Sequence, residues 1–341
     1  MKNAFSRRDA LLAAGAALAT SLADRARAQA GPVVIKFSHV VAPDTPKGNG
    51  AQRFKELAEQ RSGGRVKVEI YPNSQLYKDK EEMEALQLGS VQMLAPSLAK
   101  FGPLGVREFE VFDLPFIFKD QAAFQAVAEG PVGASLCQKL EPKGIKGLAC
   151  WDNGFHIMSA NRPLHHVADF KGLKMRIQSS KVLEAQMRAL GAIPQVMAFS
   201  ELYQALQAGV VDGTEGVPSN FWTQKIYEVQ KHMTLSYHGH LAYAVIVNKK
   251  FWDGLPPDLR TILEGCVKDA TTYANALAAT ENAMALDKIK ASGKTTIYSL
   301  TDAERDEWKR ALMPVHKEMA DRVGQQTIAA VYKAAGFVAP R

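Results

Sequence analysis

The chain has 341 residues, 47% of them hydrophobic and 23% charged, with a formal net charge of +7. That length allows two domains, each with enough chain to bury its own core. Lys and Arg are scattered rather than gathered into a stripe interleaved with aromatics, which excludes a nucleic-acid binder from the leading readings.

The chain opens with Ser6-Arg7-Arg8-Asp9, continues as an Ala/Leu stretch over 10–22, and reaches small-residue sites at Ala26-Arg27-Ala28 and Ala28-Gln29-Ala30. A basic, apolar and small-residue order is that of an export signal, assigned to residues 1–30, so a periplasmic location is expected. The arginine pair, the weakly hydrophobic core and Arg25 and Arg27 favour the twin-arginine route, with an ordinary Sec signal as the alternative. No cysteine follows the cleavage region, which argues against a lipid anchor, and no later run approaches the roughly eighteen apolar residues of a membrane span. Without the leader, 37 Lys and Arg stand against 33 Asp and Glu, a mild +4. Cys137, Cys150 and Cys266 are an odd set, so at most one pair can close. Free buried thiols are expected, with a Cys137–Cys150 bridge as the alternative.

An apolar run over 33–37 leads through Pro43 and Pro46 into a helical pattern (Phe54, Leu57, Ala58) that stops at Gly63-Gly64. Val66, Val68 and Ile70 then alternate with charged residues as a half-buried strand ending at Pro72, which sets an α/β alternation. Ala85-Leu86-Gln87-Leu88-Gly89-Ser90-Val91 and Ala205-Leu206-Gln207-Ala208-Gly209-Val210-Val211 share Ala-Leu-Gln-x-Gly-x-Val, each reading as a glycine-capped helix feeding a strand. Coincidence in an Ala/Leu-rich chain is one reading; the other is two lobes built from one kind of unit, with ligand held between the carboxyl ends of their strands. From Pro257 to Ser292 a helical stripe runs with Gly265 as its only glycine, long enough at about 1.5 Å per residue to brace both lobes.

Signatures of catalysis are missing: the chain has no Gly-x-Ser-x-Gly, His-Glu-x-x-His, phosphate loop or Gly-x-Gly-x-x-Gly. His238-Gly239-His240 and His165-His166 lack the spacing of a closed metal site, so neither a metal nor a cofactor is expected. In 172–178, Leu173, Met175 and Ile177 point to one face of a strand and Lys174, Arg176 and Gln178 to the other. An arginine on the open face beside a cleft offers a planar fork matched to a carboxylate, although a solvated strand face accounts for the same pattern.

The segment KGLKMRIQSSKVLEAQMRALGAIPQVMAFSELYQALQAGVVDGTEG, followed by SNFWTQKIYEVQKHMTL and YAVIVNKKFWDGLP, closely resembles the solute-binding proteins of tripartite ATP-independent periplasmic (TRAP) transporters. It looks most like their C4-dicarboxylate branch. FSHVVAPDTPKG, YPNSQL and FDLPFIF extend the likeness over nearly all of 33–337. The resemblance implies an α/β, two-lobe Venus-flytrap fold with one long helix spanning both lobes. Lobe I is expected over 31–152 plus about 242–280, and lobe II over 153–241 plus about 281–341. It also implies a monomer that serves membrane permease subunits. Carried over residue by residue, Arg176 grips the ligand carboxylate, Phe199 walls the pocket or simply packs, and Ser97 and Asp79 lie on the first lobe's rim. FDLPFIF is left as core. Two positions depart from many relatives: His156 stands where a second cation is common, and Gly216 where an asparagine is. His156, with His240 as a neighbouring polar group, is expected to meet the far end of the ligand. A C4-dicarboxylate is therefore the first expectation, with an aromatic or keto acid as competitor. A periplasmic enzyme acting on a carboxylate, and a ligand-presenting partner of a membrane sensor, are the readings from other classes.

Overall fold

A computed structural model describes residues 31–338, so the expected export signal lies outside the described residues. Among these residues are strands β1 (Val33–Ser38), β2 (Val66–Tyr71), β3 (Met93–Leu94), β4 (Ile145–Phe155), β5 (Ile157–Ala160), β6 (Lys174–Ile177), β7 (Ile193–Val196), β8 (Gly213–Gly216), β9 (His232–Leu235), β10 (His240–Asn248) and β11 (Thr296–Ser299). They form two sheets, ordered β2-β1-β3-β10-β4 and β11-β9-β5-β8-β6-β7.

The two sheets repeat one plan. In the first, β1 runs parallel to β2 and β3 while β10 is antiparallel to β3 and β4. In the second, β6 runs parallel to β7 and β8 while β5 is antiparallel to β8 and β9. The shared Ala-Leu-Gln-x-Gly-x-Val motif falls at equivalent places, in helices Glu82–Gln87 before β3 and Leu202–Gln207 before β8. Gly89 and Gly209 follow with φ of 79° and 69°, left-handed backbone that a side chain would strain.

Two strand crossings join the lobes: β4 passes to β5 through His156 alone, and β9 returns to β10 through residues 236–239. The long helix Pro257–Ser292 makes a third link, with proline in its first turn and Gly293 in left-handed backbone just past its end. Its first half buries Leu259, Leu263, Val267, Ala270 and Ala274 in the first lobe's core, and Ile289 near its end enters the second lobe's core. Such a helix is about 54 Å long at 1.5 Å per residue, the span the sequence implied.

The C-terminal chain departs from the expected partition. Helix Asp302–Leu312, started by a Thr301–Glu304 capping box, buries Trp308 and Leu312 in the second lobe. The last helix, Gln325–Ala335, turns back. Its Ile328, Val331 and Ala335 pack in one cluster with Phe112, Phe118 and Phe124 of the first lobe, so the tail does not stay with lobe II. The apolar face of that helix finds its cover there. Cys137, Cys150 and Cys266 are all free, and only Cys266 is buried, so the alternative Cys137–Cys150 bridge is not formed.

Candidate functional site

Strand alternation places Arg176. Met175 and Ile177 are fully buried in the second lobe's core, which turns Arg176 of β6 to the opposite face and into a small cavity of about 40 Å³ between the lobes. Arg176 Nε donates to Met197 O at 3.0 Å, and the guanidinium lies 5.7 Å from the Phe199 ring centre. Burial lowers its pKa and nearby Asp79 and Glu215 oppose that shift, so it remains a cation. Phe199, Gly216, Ser97 and Asp79 line the same cavity. A Cβ at Gly216 would meet nothing within 4 Å, so this glycine contributes open space. Ser97 caps the following turn through Ala99 N. Asp79 bridges the lobes: its carboxylate accepts the Phe199 N–H at 2.5 Å and pairs with Lys100. Burial alone would raise the Asp79 pKa, yet Lys100 beside it holds it at about 2.

His156 and His240 are not brought into that lining. His240 lies in the first lobe's core, its Nε2 2.7 Å from Asp152 Oδ1 and its ring stacked 4.2 Å from Phe124. His156 is 2% exposed and sits behind Glu215, with Nδ1 3.2 Å from Glu215 Oε2, because the β4–β5 crossing turns its ring away from the cleft. Glu215 itself lines the cavity, and His238 Nε2 approaches the same carboxylate oxygen at 3.8 Å. Burial would raise the Glu215 pKa, but His156 and His238 hold it at about 2. His165 and His166 lie apart from the cleft, with His165 stacked on Tyr298 and His166 paired to Glu307.

The cleft also contains two lysines that the sequence reading missed. Lys100 is buried and paired with Asp79 and Glu82; burial would lower its pKa, and the two carboxylates raise it instead. Lys47 is 1% exposed, donates to Ala95 O at 3.0 Å and lies 3.7 Å over the Tyr243 ring. Among the described residues no carboxylate lies within ion-pair distance of Lys47. Burial first, and then Lys100, bring its pKa down to about 7. A sequence signal for it exists: Lys47 occupies the first turn of helix Pro46–Arg61, where a cation opposes the helix dipole. The cavity thus has an arginine from the second lobe at one side and an unpaired ammonium from the first at another, an arrangement that suits a small anion charged at both ends.

A larger open groove of about 920 Å³ runs along the free edge of β4, between helix Pro131–Gln138 and the long helix. Its charges, Glu129, Glu141, Lys146, Glu264 and Lys268 among them, are of mixed sign, so charge rather than size singles out the interlobe cleft.

Residues 37–322 match the family model described as bacterial extracellular solute-binding protein, family 7. The C4-dicarboxylate-binding periplasmic protein DctP of Rhodobacter capsulatus is 67% identical over 315 residues, covering 92% of this chain and 95% of the relative. Among solved structures, a TRAP periplasmic solute-binding protein from Shewanella oneidensis with bound succinate is 42% identical with a TM-score of 0.87, over 89% of this chain and 100% of that one. One from Pseudomonas aeruginosa PAO1 with bound L-malate is 46% identical with a TM-score of 0.82, over 84% and 100%.

Proposed function

Because the chain belongs to the DctP family of bacterial extracellular solute-binding proteins, we propose that it is the periplasmic component of a TRAP transporter, capturing a C4-dicarboxylate and passing it unaltered to a membrane permease. The observation that carries the ligand class is the pair of buried cations, Arg176 and Lys47, set on opposite lobes around one small cavity. Arg176 takes one carboxylate through parallel hydrogen bonds, and the Lys47 ammonium faces the other. Each charge attracts more strongly once the lobes exclude water, so a dianion holds the lobes together. A singly charged aromatic or keto acid leaves Lys47 without a counter-charge, which ranks it second. No nucleophile motif accompanies the cations, and capture without chemistry accounts for them.

Titration calorimetry with succinate, malate and fumarate against matched monocarboxylates tests this reading, with mass spectrometry of the recovered ligand. The dicarboxylates should bind best and return unaltered. Arg176→Lys keeps the charge but not the fork. Breaking a buried charged pair costs on the order of 2–5 kcal/mol, so about 30- to several-thousand-fold in affinity should be lost. Best binding of a monocarboxylate, or a loss below about threefold in Arg176→Lys, contradicts the proposal.

A further inference from the structure

Behind the cleft wall, the fold assembles three side chains that are distant in sequence. His156 stands on the β4–β5 crossing, His238 on the β9–β10 crossing, and Glu215 on β8. The crossings are tied together by His156 N donating to Gly239 O at 2.9 Å. One ligand-type atom from each of the three residues lies within 4.8 Å of the others, and all three residues are buried. Glu215 Oε2 is 3.2 Å from His156 Nδ1 and 3.8 Å from His238 Nε2. A tetrahedral ion with bonds of about 2.0–2.1 Å to nitrogen and oxygen needs its ligand atoms about 3.3 Å apart, close to these separations.

Polar accounting points to a missing occupant. His156 Nδ1 and Nε2, Glu215 Oε1 and Oε2, and His238 Nε2 are buried without a hydrogen-bond partner, the close approaches lacking hydrogen-bond alignment. Buried polar atoms are ordinarily satisfied, and five orphans in one place are costly. The tautomer of His238 sharpens the point. Ser236 Oγ lies 2.7 Å from His238 Nδ1 and 3.5 Å from His156 O, so it can accept from that ring nitrogen while turning its own proton to the carbonyl. In the tautomer that donates from Nδ1 to Ser236, the Nε2 lone pair faces the Glu215 carboxylate, acceptor against acceptor, unless something positive lies between them. Gly239 keeps the ring space open, since a Cβ there would come 3.2 Å from His156 Nδ1.

We propose that His156, Glu215 and His238 form a binding site for one divalent transition-metal ion of the zinc class, at the junction of the two strand crossings. Two imidazoles and one carboxylate suit zinc, cobalt or nickel rather than the all-oxygen preference of magnesium or calcium. They leave a fourth position for water. Ser236 supports His238 from the far side, as a hydrogen bond to the second ring nitrogen does in metal sites. Entry is from the cleft, which Glu215 lines. Sequence spacing could not reveal the set, because its two histidines are separated by 81 intervening positions and meet only when both crossings form.

The experiment is a titration of the chelator-stripped, full exported protein with Co(II), followed by Zn(II) displacement. One equivalent of cobalt should bind, with the intense visible absorption of a four-coordinate nitrogen–oxygen site, and zinc should abolish that absorption. Glu215→Gln and His238→Gln should lose it, His166→Gln should keep it, and Ser236→Ala should weaken metal affinity by about 10- to 100-fold. Thermal unfolding guards against a folding defect: zinc should raise the Tm of the wild type and of any folded His166→Gln, but not of the ligand variants. Absence of saturable uptake by the wild type at micromolar metal, or uptake unchanged in both Glu215→Gln and His238→Gln, overturns the site and leaves the cluster to water or a shared proton. Succinate calorimetry on the same stripped protein reads the transport proposal separately, so either can fail alone.

Discussion

Arg176 and Lys47 show what a side chain's surroundings reveal and conceal. Arg176 was legible because alternation in a short strand puts Met175 and Ile177 in the core and leaves their neighbour on the open face. Lys47 was not. Its sequence context is a helix start, and only the approach of Tyr243, Ala95 and Lys100 from distant strands and turns shows that it is buried. His156 was misplaced for the opposite reason: an aligned position fixes where the backbone runs, not which way the ring turns. On the proposed reading, with Lys47 facing a ligand carboxylate, affinity is sensitive to pH. With a free-protein pKa near 7, Lys47 is protonated below that point, and a bound carboxylate raises its pKa. Affinity for a dicarboxylate should therefore be flat below pH 7 and fall by up to about tenfold per unit above it, until the bound-state pKa is passed. Three of the groups facing Lys47 lie outside that window: Asp79 is held at about 2 and His39 at about 3, and Lys100 is raised above the ordinary lysine value. Glu82, raised by burial, is the remaining neighbour. Lys47→Met should remove the slope in calorimetry between pH 6 and 9; a slope that survives would remove Lys47 from the site. The same variant should be more stable than the wild type at pH 6. A lysine whose folded pKa lies below its unfolded value costs stability below pH 7, and that cost fades as pH climbs towards 10.5.

At the level of elements, the duplicated Ala-Leu-Gln-x-Gly-x-Val motif disclosed the internal likeness of the lobes, because a glycine-capped helix entering a strand has a strong local signature. The two-residue β3 and, β6 apart, the four-residue strands of the second sheet have almost none. They exist through their neighbours, which is why the sheet orders emerge only in three dimensions. The long helix was legible from its proline start and glycine stop, but its attachments were not. Asn275 accepts the Asp152 N–H at 2.8 Å. Asn282 accepts the Ser219 N–H at 2.9 Å while donating to Asn153 O at 2.7 Å, so this one amide joins the first crossing to the second lobe's helix Pro218–Thr223. Gly154, with φ of 105°, allows that contact, since a Cβ there would lie 2.7 Å from Asn282 Nδ2. Asn282→Ala leaves Ser219 N and Asn153 O without this partner and should cost about 1–3 kcal/mol in denaturant unfolding. A change below about 0.5 kcal/mol would mean that water replaces the amide without loss.

Across the whole molecule, the contacts that bridge the cleft are of unequal worth. Lys78 and Glu201 meet at 3.2 Å with both side chains about half exposed, and such pairs contribute about 0.2–1 kcal/mol and weaken with salt. Asp79, by contrast, reaches the Phe199 N–H from a buried position. Lys78→Ala should change dicarboxylate affinity by less than about fivefold, whereas Asp79→Ala should lower it by about 5- to 150-fold. Equal effects in calorimetry would show that Asp79 is not the latch. The threading of the chain has another consequence, for the order of assembly during synthesis. β10 lies between β3 and β4 in the first sheet, so that sheet cannot close until residue 248 has been made, and the second gains β11 only after the long helix is complete. Neither lobe is a contiguous unit that can finish while the ribosome is still working on the other. Pairings over such sequence distances are slow to form. The half-made chain therefore carries unpaired strand edges until residue 248 in the first sheet and residue 299 in the second.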